Sequence, residues 1–133
     1  MINAYRPIKK SKYGNVKCSA YGHDFDSEAE REYYFHLRFR QQRGEIRNLQ
    51  VHPKWVLSDS VKVPEEKTGR KPQTLQQVTY SADFEFDDLT LMRHRVIDVK
   101  GFRTEAFKIK KKWMYDKYGI WVEEVKLNEL SKV

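Results

Sequence analysis

The sequence predicts an α/β fold, a single domain built on a small mixed sheet flanked by helices. Three observations predict it. The 133 residues are 39% hydrophobic and 34% charged, enough for one modest core with little room for a second domain. Two capped segments carry helical signals, one in each half of the chain. The stretches between and after them are short, apolar or alternating with period two, and bounded by Gly, Pro and Asp. The resulting order of helix, strand, strand pair, helix, strand belongs to an α/β unit.

Each element has a local reason. Residues 1–22 are rich in Lys and Arg, with Gly, Ser and Asn and no clear period, and they read as a basic, partly flexible arm ahead of a single domain over 23–133. The first helix opens at Phe25-Asp26-Ser27 and runs to about Gln42. Ser27 is the N-cap, Glu30 stands at capping-box spacing, and Gly44 closes the helix. Ile46 to Leu57 reads as one or two strands broken at Pro53. Residues 58–77 are polar, with two Pro and one Gly, and predict a mobile loop or an extended hairpin. Val78 to Phe86 alternates, with Val78, Tyr80, Ala82, Phe84 and Phe86 on one face and Thr79, Ser81, Asp83 and Glu85 on the other. A turn at Asp87-Asp88 leads into a strand from about Leu91 to Lys100, closed by Gly101. Thr104 caps a basic helix reaching about Tyr118, and Ile120 to Val125 forms the last strand.

Composition narrows the function. Twenty-six Lys and Arg against 19 Asp and Glu give a net charge of +7 and a pI near 9.4, which favours a polyanionic partner, nucleic acid before membrane. No stretch approaches the roughly 20 apolar residues of a membrane span. The N-terminus Met1-Ile2-Asn3-Ala4-Tyr5-Arg6-Pro7 lacks the apolar core of a secretory signal. The single cysteine, Cys18, forms no intramolecular disulfide and no multi-cysteine zinc site, so a reduced, cytoplasmic setting is expected.

The carboxylates are the informative residues. On a helix of about 100° per residue, Tyr33, Tyr34 and Leu37 share the face of Glu30, whereas Glu28 and Glu32 lie about 200° away. Glu30 is therefore an acid on the sheet-facing stripe. It either completes the capping box, pairs with a buried arginine, or serves a site. Asp98 and Lys100 share one face of Val96-Ile97-Asp98-Val99-Lys100, and a plain cross-strand salt bridge would also account for them. If Asp83, Asp98 and Lys100 turn toward Glu30, three carboxylates and one lysine converge. Such a group suits Mg²⁺, which takes oxygen ligands and retains waters, with lysine orienting water or neutralising charge on a reacting phosphate.

At these residues the chain resembles the PD-(D/E)xK nuclease superfamily, in particular small phage-encoded endonucleases related to Holliday-junction resolvases. Phe25-Asp26-Ser27-Glu28-Ala29-Glu30 fits an FxSxxE helix start. Tyr80-Ser81-Ala82-Asp83-Phe84 and Asp98-Val99-Lys100-Gly101 follow in the expected order, with 15 positions from Asp83 to Asp98. Thr104, the run Lys108-Ile109-Lys110-Lys111-Lys112 and Lys12-Tyr13-Gly14-Asn15 extend the likeness over roughly residues 12–125. The resemblance implies a restriction-endonuclease-like core, dependence on Mg²⁺ with Mn²⁺ substituting, and hydrolysis of DNA phosphodiesters on branched DNA. Carried over by position, Glu30 is the helix acid, Asp83 the central ligand, Asp98 the (D/E) residue and Lys100 the lysine. Ala82 stands where the motif has proline, and Asp98 where many members have Glu. A phage enzyme of this kind would act in the cytoplasm of a bacterial host. A non-catalytic DNA-binding protein on the same fold, or a nickase or flap nuclease without junction preference, is the alternative.

Arg103, Lys108, Lys111 and Lys112 form a surface for DNA phosphates, with Lys110 turned away and Lys12 of the arm contributing, or else an ordinary solvated helix face. His23, His36, His52 and His94 show no ligand spacing. Glu85 shares the strand face of Asp83 and is either a further ligand or, as expected here, in solvent. Cys18 is expected in packing, and Trp55, Trp113 and Trp121 in the core rather than as base-stacking platforms. Phe35 and Phe39 lie about 140° and 180° from Glu30 and need cover, from the arm or from a second copy in a homodimer.

Overall fold

The computed structural model describes residues 17–100 and 102–126. Strands β1 (Cys18–Ala20) and β2 (His23–Phe25) form an antiparallel hairpin that leads into helix α1 (Glu28–Gln42). The expected arm therefore gives way to strand by Cys18. A three-residue strand offers no period by which to announce itself. Lys12, with the rest of residues 1–16, lies outside the described residues, as does Gly101.

Helix α1 starts and stops where its caps dictate. Ser27 Oγ accepts a hydrogen bond from Glu30 N at 3.1 Å. At the other end Glu45 N donates to Arg40 O (2.9 Å) and Gly44 N to Gln41 O (3.0 Å), with Gly44 at φ 78°. This pair of bonds closes the last turn and requires a left-handed residue, which glycine supplies without strain.

Then follow β3 (Ile46–Val51), β4 (Lys54–Ser58), β5 (Val61–Val63), the short α2 (Glu65–Thr68), β6 (Gln73–Leu75) and β7 (Val78–Ser81). The chain ends with β8 (Phe84–Asp88), β9 (Arg93–Val99), helix α3 (Glu105–Tyr118) and β10 (Val122–Val125). Strands β5 and β6 pair antiparallel, so residues 58–77 take the extended-hairpin form. The central sheet has the order β10-β9-β8-β3, parallel between β9 and β10 and antiparallel elsewhere. Helix α3 makes the crossover that a parallel pair needs. Thr104 caps it, accepting from Phe107 N at 3.0 Å. The fold is thus the small mixed α/β sheet with flanking helices that the sequence predicts.

Two cores result. Tyr33, Tyr34 and Leu37 of α1 pack on Phe84, Phe86 and Ile97, and Phe107 and Met114 of α3 pack with Tyr80, Leu57, Val96 and Val122. The burial of Val96 on one side and Ile97 on the other shows that β9 is covered on both faces. Cys18 is buried in the first core, as expected.

The structure corrects two boundaries and one burial expectation. Val78 to Phe86 is not one strand. It breaks at Ala82-Asp83, where β7 leaves to pair with β4 and β8 continues between β3 and β9. Backbone bonds fix the break: Ala82 N donates to Pro53 O (3.1 Å), Asp83 N to Ile97 O (3.1 Å) and His52 N to Asp83 O (2.9 Å). Burial still alternates through it, which is why the sequence shows no interruption. The turn expected at Asp87-Asp88 falls over residues 89–92, because Asp88 is buried and its carboxylate accepts from Thr90 N and Leu91 N. Trp121 is not a core residue. It lies between the end of α3 and β10 and is 63% exposed, whereas Trp55 stacks on Tyr80 and Trp113 packs on the second core.

The β1–β2 turn covers part of the outer face of α1. Tyr21 meets Phe35 edge-on at 5.9 Å, while Phe39 stays exposed with Arg43 above its ring at 5.1 Å. No helix among the described residues is long and apolar enough to cross a membrane.

Candidate functional site

Glu30 enters the site from the first turn of α1 and is buried. Its Oε1 accepts a hydrogen bond from His52 Nε2 at 2.6 Å. His52 follows β3 in a left-handed conformation, φ 55°, and its backbone N–H also holds the Asp83 carbonyl. Ligand atoms of Glu30, His52 and Asp83 all lie within 4.8 Å of one another. Asp83 occupies the break between β7 and β8, and its Oδ2 accepts from Val99 N at 2.6 Å. Asp98, buried on β9, lies close enough to Asp83 for its charge to bear on that carboxyl. Its Oδ1 pairs with Lys100 Nζ at 3.0 Å, and its Oδ2 accepts from the Tyr80 hydroxyl. Lys100 Nζ lies 4.0 Å from the centre of the Phe107 ring.

Glu30, Asp83, Asp98 and Lys100 are thus brought together from helix α1, the β7–β8 break and the end of β9. The electrostatics follow from that crowding. Burial, then the neighbouring Glu30 and Asp98 carboxylates, push Asp83 well above the ordinary carboxylate range, against a Val99 N–H that favours the ionised form. Burial and the adjacent Asp98 likewise push Tyr80 far up, so its hydroxyl stays a donor. The Glu30 hydrogen bond raises the His52 imidazole.

His52 and Tyr80 belong to this cluster although sequence reasoning places neither in it. His52 has no sequence spacing to its partners. It arrives through a turn whose left-handed residue is not glycine, so nothing in the sequence marks it. Tyr80 carries a usable signal: a tyrosine on the buried face of an alternating strand needs a partner for its hydroxyl. Glu85, considered as a further ligand, instead hydrogen-bonds with His94 at 2.8 Å.

A second feature adjoins the cluster. Arg103, Lys108, Lys111 and Lys112 line one groove of about 400 Å³ with Tyr115, Asp116 and Trp121. Four of the expected DNA-contacting cations therefore share a surface, and the three lysines come from one face of α3. Glu124 anchors two of them, pairing with Arg103 Nε at 2.8 Å and Lys111 Nζ at 2.6 Å, and offsets part of their charge. Lys108 pairs with Glu105 at 2.9 Å. Glu124 is also the register partner of Asp98 across β9 and β10, so the groove begins one strand from the acids.

A family model described as "Protein of unknown function (DUF1064)" matches residues 10–132. Neither the curated proteins nor the solved structures give a match.

Proposed function

We propose that this chain, which belongs to the DUF1064 family of unknown function, is a metal-dependent endonuclease that hydrolyses phosphodiester bonds in branched DNA. The observation that carries the reading is the acid cluster: ligand atoms of Glu30, His52 and Asp83 lie within 4.8 Å of one another, and Asp98, whose charge bears on Asp83, pairs with Lys100 at 3.0 Å.

The donor set fits a hard divalent cation. Glu30, Asp83 and Asp98 would hold Mg²⁺ through oxygen, and the His52 imidazole adds a donor that Mn²⁺ accepts readily. Bound there, the ion would supply Lewis acidity toward a phosphate oxygen and a more acidic water. The chain's own residues do the rest. Tyr80 and Lys100 fix both oxygens of Asp98, so that carboxylate is held before substrate arrives. The Lys100 ammonium, kept beside a carboxylate, can donate to the attacking water or to a phosphate oxygen as negative charge gathers on it. Water adds to phosphorus, the ester P–O bond breaks, and the products are a phosphate monoester and a hydroxyl end. Arg103 and the α3 lysines receive the backbone phosphates next to that point.

The test is incubation of purified protein with plasmid, linear duplex, flapped and four-way-junction DNA in Mg²⁺, Mn²⁺ or EDTA. Cleavage in either metal but not in EDTA, with branched DNA cut fastest, is expected. Binding to DNA without metal-dependent cleavage of any substrate would instead make the chain an accessory protein.

A further inference from the structure

The groove beside the acids differs from a plain phosphate-binding surface in one respect: two aromatic rings stand open in its wall. Trp121 is 63% exposed and Tyr115 60%, and their rings meet edge-to-face with centroids 6.5 Å apart. Lys111 Nζ lies 4.4 Å from the centre of the Trp121 ring, so one indole face holds a cation. Leaving that much indole in water gives up the stabilisation that burial would bring. Groups that suit such a wall carry both a negative charge and a flat π-face.

We infer that this groove binds a single-stranded segment of DNA, with phosphates on Arg103, Lys108 and Lys112 and an unpaired base stacked on Trp121. Duplex DNA presents phosphates and base edges but keeps its base faces stacked on each other, so it has no use for an open ring. A strand that has left the duplex exposes those faces, and alternation of cations with exposed aromatics is the arrangement that holds it. Position supports the same occupant. Glu124, which fixes Arg103 and Lys111, lies opposite Asp98 in the sheet, so these two cations of the groove are held one strand from the acids. The inference rests on the endonuclease reading and deepens it: the substrate class becomes branched DNA with an unpaired arm, such as a flap or a gapped fork, ahead of a fully paired four-way junction.

The experiment separates the two claims by measuring binding in EDTA, where no cutting occurs. Labelled oligothymidylate of about 12 nucleotides and a duplex of equal length are titrated with wild type, Trp121→Ala and Trp121→Phe, following anisotropy of the label. Tryptophan emission is recorded with unlabelled strands. The oligothymidylate should quench the wild-type emission, and Trp121→Ala should weaken its binding about 5- to 100-fold. Duplex affinity should change by less than about twofold, and Trp121→Phe should restore most of the loss, because a phenyl ring still stacks. Equal losses on both ligands, or unchanged single-strand affinity without quenching, would overturn the inference. Failure of wild type to cut in Mg²⁺ or Mn²⁺, with this binding pattern intact, would count against the nuclease and leave the groove standing.

Discussion

Asp88 offers a sharp quantitative test of how the sheet is held in place behind the site. It ends β8 at 1% exposure, and its carboxylate accepts from Thr90 N (2.9 Å), Thr90 Oγ1 (2.6 Å) and Leu91 N (3.1 Å). It also pairs with Arg40 at 3.5 Å and Arg95 at 3.0 Å, tying α1 and β9 to one point. Burial pushes the carboxyl up. The Thr90 and Arg95 hydrogen bonds, the Leu91 N–H and the Arg40 charge outweigh it and hold Asp88 down to about 2, against an ordinary 3.8. That gap corresponds to about 2.5 kcal/mol. Because the folded value lies below the unfolded one, the contribution is complete above about pH 5 and is lost as the pH falls toward 2.

The perturbation is Asp88→Asn, which keeps the shape and an acceptor but removes the charge. Arg40 retains Glu45 at 2.9 Å and Arg95 retains Glu123 at 2.8 Å, so no cation is stranded. The loss should therefore stay near 2.5 kcal/mol rather than reach the roughly 3–5 kcal/mol of an orphaned buried charge. Urea unfolding followed by circular dichroism should show that difference at pH 7, and about half of it at pH 3. The melting temperature at pH 7 should fall by roughly 9 °C. A difference that stays constant from pH 7 to pH 3 would refute the reasoning, since only an ionised Asp88 distinguishes the two proteins.

The other predictions concern the site. Tyr80→Phe removes the donor that fixes Asp98 and should slow metal-dependent cleavage about 10- to 100-fold with an unchanged far-ultraviolet spectrum; wild-type rates would contradict the positioning role. His52→Ala should raise the Mn²⁺ concentration needed for half-maximal binding, read by calorimetry, by about tenfold or more, and an unaltered isotherm would remove His52 from the donor set. A Lys108/Lys111/Lys112 triple alanine variant should lower the slope of log affinity against log salt by about one for each phosphate that no longer meets a lysine, about two in all if Lys108 and Lys112 each hold one. An unchanged slope would return these lysines to the solvated face.

The first helix is the most legible element because local chemistry determines it. Ser27 and Gly44 mark its ends, and Tyr33, Tyr34 and Leu37 its buried stripe, which is enough to set Glu30 beside the sheet. Strand β9 is legible for a different reason: opposite charges inside an apolar run require partners. The illegible features are those set by tertiary pairing. The alternation through Ala82 and Asp83 continues across a point where the strand changes partners, so only the bonds from His52, Ala82 and Asp83 reveal the break. His52 reaches Glu30 across 22 residues through a turn with no glycine to signal it. Trp121 reads as buried, as large aromatics usually are, yet it falls just beyond Gly119, where the chain leaves α3 at φ 69° before entering β10.

The central claim is that the acid cluster cuts DNA, and one comparison tests it most directly. Wild type and Asp98→Asn are matched for binding to the same labelled flapped duplex in EDTA, then given Mg²⁺ or Mn²⁺ and sampled for strand cleavage. The variant keeps an acceptor for Tyr80 but loses the charge that would hold a cation beside Lys100. The account predicts discrete metal-dependent products from wild type and none from Asp98→Asn, with DNA affinities within about threefold, a difference under about 1 kcal/mol. Equal cleavage by both proteins, or none by wild type in either metal, would contradict it.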